Sequence, residues 1–272
     1  MRISWKLGRV AGIDLYLHPT FLLILFMPPI LGPAHAGLSL VLLLAAFGCV
    51  LLHEFGHALM ARQLGIETED ITLYPIGGVA RLRRMPKSPG AELLIALAGP
   101  AVNLAIAAGL GAITLLGLLG ADAASTLLGV FVVELLVVNV GLAVFNLIPA
   151  FPMDGGRVLR AALSGWLGRV TATRIAASLG RALAIIFGVA GLCSVPSHWM
   201  WIPLAAFIYL AAGAELASVE HEERRQAYQP FADGEGIWTA PPGYHWVQRG
   251  NGVWQLVPVL ITASEGNPPR WQ

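Results

Sequence analysis

Apolar residues in this chain come in long runs, not at the period of two or 3.6 that marks a half-buried strand or a surface helix. A helix needs about 20 apolar residues to cross a bilayer, with a range of about 17 to 25. About six stretches are candidates: Pro19 to Leu31, Leu38 to Leu64, Ala91 to Leu119, Ser125 to Leu147, Ile175 to Val195 and Trp199 to Leu216. The first is short and is interrupted by Pro28-Pro29. The pattern therefore predicts an all-α polytopic membrane protein with about six transmembrane helices. Between the second and third runs the polar segment Ile66 to Pro89 changes character. There Ile71-Thr72-Leu73-Tyr74 and Val79-Ala80-Arg81-Leu82 read as short strands about a Gly77-Gly78 turn or bulge, which predicts a small β-hairpin or sheet element.

Beyond Leu216 the pattern shifts again. Ala217 to Gln226 is charged and reads as a helix. Pro241 to Val259 carries Trp246 and Trp254 around Arg249-Gly250-Asn251-Gly252 and reads as a hairpin. The expected organisation is a transmembrane core over residues 1–216 and a cytoplasmic tail over residues 217–272. The aromatic residues of the tail suit either a membrane surface or a small packed appendage.

Composition agrees with the pattern. Of 272 residues, 56% are hydrophobic and 12% are charged, against about 25% charged in a typical soluble domain. The net charge of +1 offers no basic surface for nucleic acid. The 17 Lys and Arg residues fall in the N-terminal segment, at or after the end of the second run, around the start of the fifth, or in the tail. By the positive-inside rule those segments are cytoplasmic. Both termini then lie in the cytoplasm, as an even number of spans requires, and the expected location is the cell membrane. A competing reading makes the N-terminus a signal peptide, with Arg2, Lys6 and Arg9 ahead of an apolar run and Ala34-His35-Ala36 as a cleavage site. Asp14 and His18 are untypical of such a leader. Cys49 and Cys193 lie in apolar runs and imply no disulfide framework.

The second run holds the chemistry. In His53-Glu54-Phe55-Gly56-His57 the two histidines are four apart, so on a helix they share one face and can grip one zinc ion. Glu54 lies beside them, placed to act as a base on water. The pattern alone occurs by chance in soluble proteins, but ionisable groups in hydrocarbon are costly and point to function. A catalytic zinc takes three protein ligands and keeps one open position, so a third ligand must come from elsewhere. Asp154 is the candidate, after the proline-broken stretch Ile148-Pro149-Ala150-Phe151-Pro152-Met153. Irregular backbone at membrane depth suits a cavity lining. Asp154 equally suits the cap of a helix starting near Gly155, and both readings stay open. Cys49, four residues before His53, is a weaker ligand candidate.

Three elements together resemble the site-2 protease family of intramembrane zinc metalloproteases: His53-Glu54-Phe55-Gly56-His57, Gly99-Pro100-Ala101-Val102-Asn103, and Asn146 through Pro152-Met153-Asp154-Gly155-Gly156-Arg157. The resemblance covers about residues 10 to 216 and suits the family's compact six-span branch, which has no inserted PDZ domain. A CBS domain often follows the core in that branch; here the Trp-rich tail follows instead. The resemblance implies that His53, His57 and Asp154 bind zinc, that Glu54 is the general base, and that Asn146 donates to the tetrahedral oxyanion. It implies a single-span membrane protein as substrate, such as an anti-sigma factor or a membrane-held transcription regulator, cut in regulated proteolysis within the lipid bilayer. A protease must see its substrate extended, so the strands near Gly77-Gly78 read either as a plain hairpin or as an edge for that substrate. Asn103 reads as an interhelical bridge or a ligand orienter, Asn139 as lining the cavity of Asn146, and Pro100 as a kink. Two rival functions are a non-catalytic zinc-containing scaffold and a metal transporter. A structural site would usually be closed by four ligands, and the chain lacks the internal repeat common in transporters.

Overall fold

The chain pairs strands before it forms any long helix. Trp5–Val10 (β1) and Ile13–Leu17 (β2) flank the two-residue turn Ala11-Gly12. Both turn residues take positive φ, 51° and 84°, the handedness that matches the twist of the strands it joins. β2 then pairs in parallel with Thr68–Tyr74 (β3), placing Leu15 opposite Ile71. β3 pairs antiparallel with Gly77–Leu82 (β4), so the sheet runs β1-β2-β3-β4. The computed structural model describes residues 4–26, 36–74, 77–83, 86, 88–116, 126–195, 200–232, 240, 243–250 and 253–258. The strand pair expected around Gly77-Gly78 is present; the β1–β2 hairpin and its parallel join to β3 were not expected.

The helices follow: Ala36–Gln63 (α1), Pro89–Leu115 (α2), Leu127–Asn146 (α3), Asp154–Leu167 (α4), Arg169–Cys193 (α5) and Trp201–Ala232 (α6). Among the described residues five helices are long and apolar enough to cross a membrane: α1, α2, α3, α5 and α6 as far as Arg225. The chain is a multi-pass membrane protein. Of the first expected span, Pro19–Phe26 is a 3-10 helix and residues 27–31 lie outside the described set.

Burial runs opposite to that of a soluble bundle. On α3 the exposed residues include Val133, Val137, Val140 and Val144, whereas Gly129, Val132, Asn139 and Ala143 are buried. Large apolar side chains face outward and small or polar ones face the neighbouring helices, the arrangement expected where lipid is the solvent. The sheet lies against α1, where Ile13, Leu15 and Ile71 close over Ala58 with Leu51, Phe55 and Ala80 at the margin. A second cluster joins Phe151 to Ala176 and Ala177 of α5 and Ala212 of α6.

The chain divides into two compact units, Met1–Glu220 and His221–Gln272. The first holds everything above as far as residue 220 of α6, which continues through Leu216 without a break. The second contains the end of α6 and an antiparallel hairpin, Tyr244–Gln248 (β5) with Trp254–Pro258 (β6), Trp246 opposite Leu256. Asn251 and Gly252 of the expected turn lie outside the described residues.

Candidate metal centre

His53 and His57 stand one turn apart on α1 and are both buried. The proton on each ring follows from its neighbours. His57 Nδ1 lies 2.6 Å from the Ile95 carbonyl; a carbonyl only accepts, so Nδ1 carries the hydrogen and Nε2 presents a lone pair. For His53 the assignment starts further away. Asn139 donates from Nδ2 to the Leu135 carbonyl at 2.8 Å, which turns its Oδ1 toward Asn103 Nδ2 at 3.3 Å. Asn103 therefore offers Oδ1 to His53 Nδ1, 2.8 Å away. His53 Nε2 is then also a lone-pair donor, held from behind as metal-bound histidines are.

These two nitrogens and Asp154 Oδ2 form a triangle whose three edges are each 3.1 Å. Three electron-rich atoms at that spacing are stable only around a shared cation. Tetrahedral zinc with bonds of about 2.0–2.2 Å places its ligand atoms roughly 3.3–3.6 Å apart, so the residues fit that ion with a movement of a few tenths of an ångström. Asp154 supplies the carboxylate of this set, facing two ring nitrogens that have no hydrogen to give it. The triangle is thus closed by an anion. Among the described residues it is the group of His, Cys, Asp and Glu side chains arranged to hold a metal.

Asp154 does not cap its helix. Met153 occupies the N-cap position with no side-chain hydrogen bond, and Asp154 is the first helical residue. Its carboxylate is free to turn toward α1 because the loop before it folds back tightly. A Cβ on Gly155 would lie 2.2 Å from the Ile148 carbonyl oxygen, and one on Gly156 2.6 Å from the Phe151 nitrogen. On the opposite side Gly99 of α2 faces both imidazoles; a Cβ there would sit 2.3 Å from His57 Nε2 and 2.7 Å from His53 Nε2.

Glu54, the residue after His53, points into a cavity of about 370 Å³. The two histidines, Asn146, Asp154, Gly77 to Ala80 of β4, and Phe145 and Phe207 also line that cavity. Gly78 presses on the glutamate, since a Cβ there would be 2.5 Å from Glu54 Cγ. Asn146 uses one amide hydrogen on the Leu142 carbonyl at 3.0 Å and retains the other. Arg157, one turn after Asp154, adds a cation to the wall.

Several expected roles change. Asn139 does not line the cavity; it is fully buried and braces Asn103. Asn103 is both bridge and orienter. Cys49 stands outside the triangle and accepts from Asn139 at 3.3 Å. His18 stacks on Tyr74 and bonds Thr20. Sequence reasoning missed Gly78, whose signal was a Gly-Gly pair beside a strand, and it missed the buried Glu92 and Arg160. Those two show no local pattern, because their contact spans 68 positions.

Comparison with known proteins agrees with this geometry. The sequence model of peptidase family M50 matches residues 41–120 and 109–187. The chain is 40% identical over 225 residues to a zinc metalloprotease of Methanocaldococcus jannaschii, covering 82% of this chain and 63% of that protein's length. The structure of a site-2 protease from the same organism superposes with a TM-score of 0.55 at 35% identity, covering 78% of this chain and 95% of that one. The chain belongs to peptidase family M50.

Proposed function

We propose that this protein is an intramembrane zinc endopeptidase. The observation that carries the reading is the triangle of His53, His57 and Asp154, open on one side to a cavity that also receives Glu54. His53, His57 and Asp154 would hold the metal. Zinc bound there supplies a Lewis acid for the scissile carbonyl and brings the pKa of water to about 7. Glu54 takes the proton from the attacking water and passes it to the leaving amine nitrogen. The second amide hydrogen of Asn146 is the donor for the oxyanion that develops on the carbonyl, a role worth about 10²–10³ in rate where such donors have been removed.

The substrate enters extended. β4 is the edge of the four-stranded sheet and, among the described residues, pairs on one side only. Its residues Gly77 to Ala80 line the cavity beside Glu54, so a strand added along β4 carries its peptide bonds past the base. A single-span membrane protein whose helix unwinds locally suits this entry, and release of a cytoplasmic regulator is the expected outcome. The protein sits in the cell membrane with both termini cytoplasmic and the 217–272 tail on that side.

The direct test is Glu54→Gln, assayed on a single-span substrate in detergent or bilayer. Cleavage should fall by about 10²–10⁴ while about one zinc per chain remains bound, as measured by atomic emission. Full cleavage by a clean Glu54→Gln preparation would falsify the assignment of the base.

A further inference from the structure

Glu92, Ile95, Gly99 and Asn103 are all buried on α2, and their spacings of three, four and four place them on one stripe of the helix. Three of the four already serve the metal centre: Ile95 holds His57, Asn103 holds His53, and Gly99 leaves room for both rings. The fourth reaches α4. Arg160 donates from Nε to Glu92 Oε1 at 2.6 Å and from a second nitrogen to Glu215 Oε1 of α6 at 2.8 Å. Its guanidinium carbon also stands 4.9 Å from the Phe151 ring centroid. The side chain is 1% exposed. Phe151 in turn anchors the loop ahead of Asp154, its N–H donating to the Ala176 carbonyl at 3.2 Å.

Resting on the metal reading above, we propose that Glu92 and Arg160 are positioning residues that set α4 against α2 so that Asp154 meets His53 and His57. Each histidine has an orienting hydrogen bond from α2 itself. Asp154 has none, and among the described residues the polar tie between α2 and its own helix is the Glu92–Arg160 pair. Arg160 lies six residues, about 9 Å along the axis, from Asp154. Apolar packing alone would allow α4 to slide along α2 by fractions of an ångström. A two-pronged guanidinium held between carboxylates on two other helices has one good position. The Arg160 cation and the Glu92 carboxylate are costly to bury, and apolar replacement of such groups often leaves stability unchanged or improved. Stability therefore does not account for the arrangement, whereas registry does.

The test uses the full chain in detergent, carrying Glu92→Gln or the paired change Glu92→Leu with Arg160→Met, which removes both buried charges and leaves only the partly exposed Glu215 carboxylate without its partner. Zinc affinity is read by chelator competition, and ligand geometry by the visible absorption of the cobalt-substituted protein. We expect zinc to bind about 10–100-fold more weakly, the usual effect of losing an outer-shell support, and the cobalt bands to shift in the folded variants. Affinity within twofold of wild type with unchanged bands, in either folded variant, overturns the proposal. Glu92→Gln carries the test if the paired variant does not fold. Asp154→Ala run alongside separates the two readings: zinc retained there defeats the metal assignment itself, whereas zinc lost there but undisturbed in the Glu92 and Arg160 variants defeats only the positioning.

Discussion

Gly99 of α2 and Gly78 of β4 face the centre from different elements, and a methyl group at either tests a different half of the chemistry. At Gly99 the new Cβ would meet the metal-facing nitrogens themselves. The rings cannot retreat, because their other nitrogens are bonded to Asn103 and Ile95. Gly99→Ala is expected to lower bound zinc to a small fraction of wild type while the protein still folds. At Gly78 the methyl would meet the aliphatic part of Glu54, which can swing, but only away from its present position. Gly78→Ala is expected to keep zinc and lose at least about tenfold in kcat, since a misplaced base costs rate and not metal. Equal zinc loss in both variants, measured on the same preparations, would sink this division of labour.

At the scale of the element, α3 shows how a membrane helix can be read. Val133, Val137, Val140 and Val144 form one exposed stripe, spaced four, three and four. Asn139 and Ala143 lie on the buried side. Soluble helices hide the valines; here the valines face the solvent because that solvent is lipid. Spin labels placed singly at Val137, Val140 and Val144 should be relaxed by oxygen dissolved in the bilayer and shielded from an aqueous nickel complex. A label relaxed mainly by the nickel complex at these three positions would mean that this face borders water. The α3–α4 loop shows a second element-scale point. Its two prolines mark a break in the sequence, but where the broken backbone goes depends on Gly155 and Gly156, which let the loop fold against the first turn of α4.

For the whole molecule the number of crossings decides on which side each end lies. Five helices qualify among the described residues; the sixth crossing in the proposed topology is the stretch Pro19 to Leu31, of which the residues after Phe26 lie outside the described set. By the positive-inside rule the distribution of Lys and Arg predicts both ends on one side. Labelling of cysteines introduced at Ser4 and at Gln248, in sealed inverted and right-side-out vesicles, should show both termini accessible from the cytoplasmic face. Opposite faces would leave an odd number of crossings and remove the proposed orientation.

The chemistry of α1 was legible without coordinates, because an i, i+4 pair of histidines in an apolar run is a local pattern governed by helix geometry. The strands at Ile71 to Tyr74 and Val79 to Leu82 were legible for the same reason: their alternation and their glycines are local. Asp154 was legible as a ligand only through the resemblance, since by its position alone the same aspartate could have capped its own helix. The first hairpin could have been found from the alternation of Trp5 to Leu17 about Ala11-Gly12. Its parallel partner could not, because Leu15 and Ile71 meet across 56 positions and parallel pairing has no turn to announce it.

By itself, then, the sequence determined that this is a helical membrane protein with a histidine pair on one helix face and a glutamate beside it. Hydropathy and helical spacing act between near neighbours, and near neighbours are what a sequence displays. Tertiary structure decided which nitrogen of each ring is free, that Asp154 completes the triangle, that Asn103 and Asn139 brace His53, and that Arg160 ties α4 to Glu92. Each of these is a close polar contact between residues at least 36 positions apart, apart from those within a single helix. Such contacts are directional and short-ranged. They exist only once the packing of small residues has brought the helices close enough for the polar groups to meet.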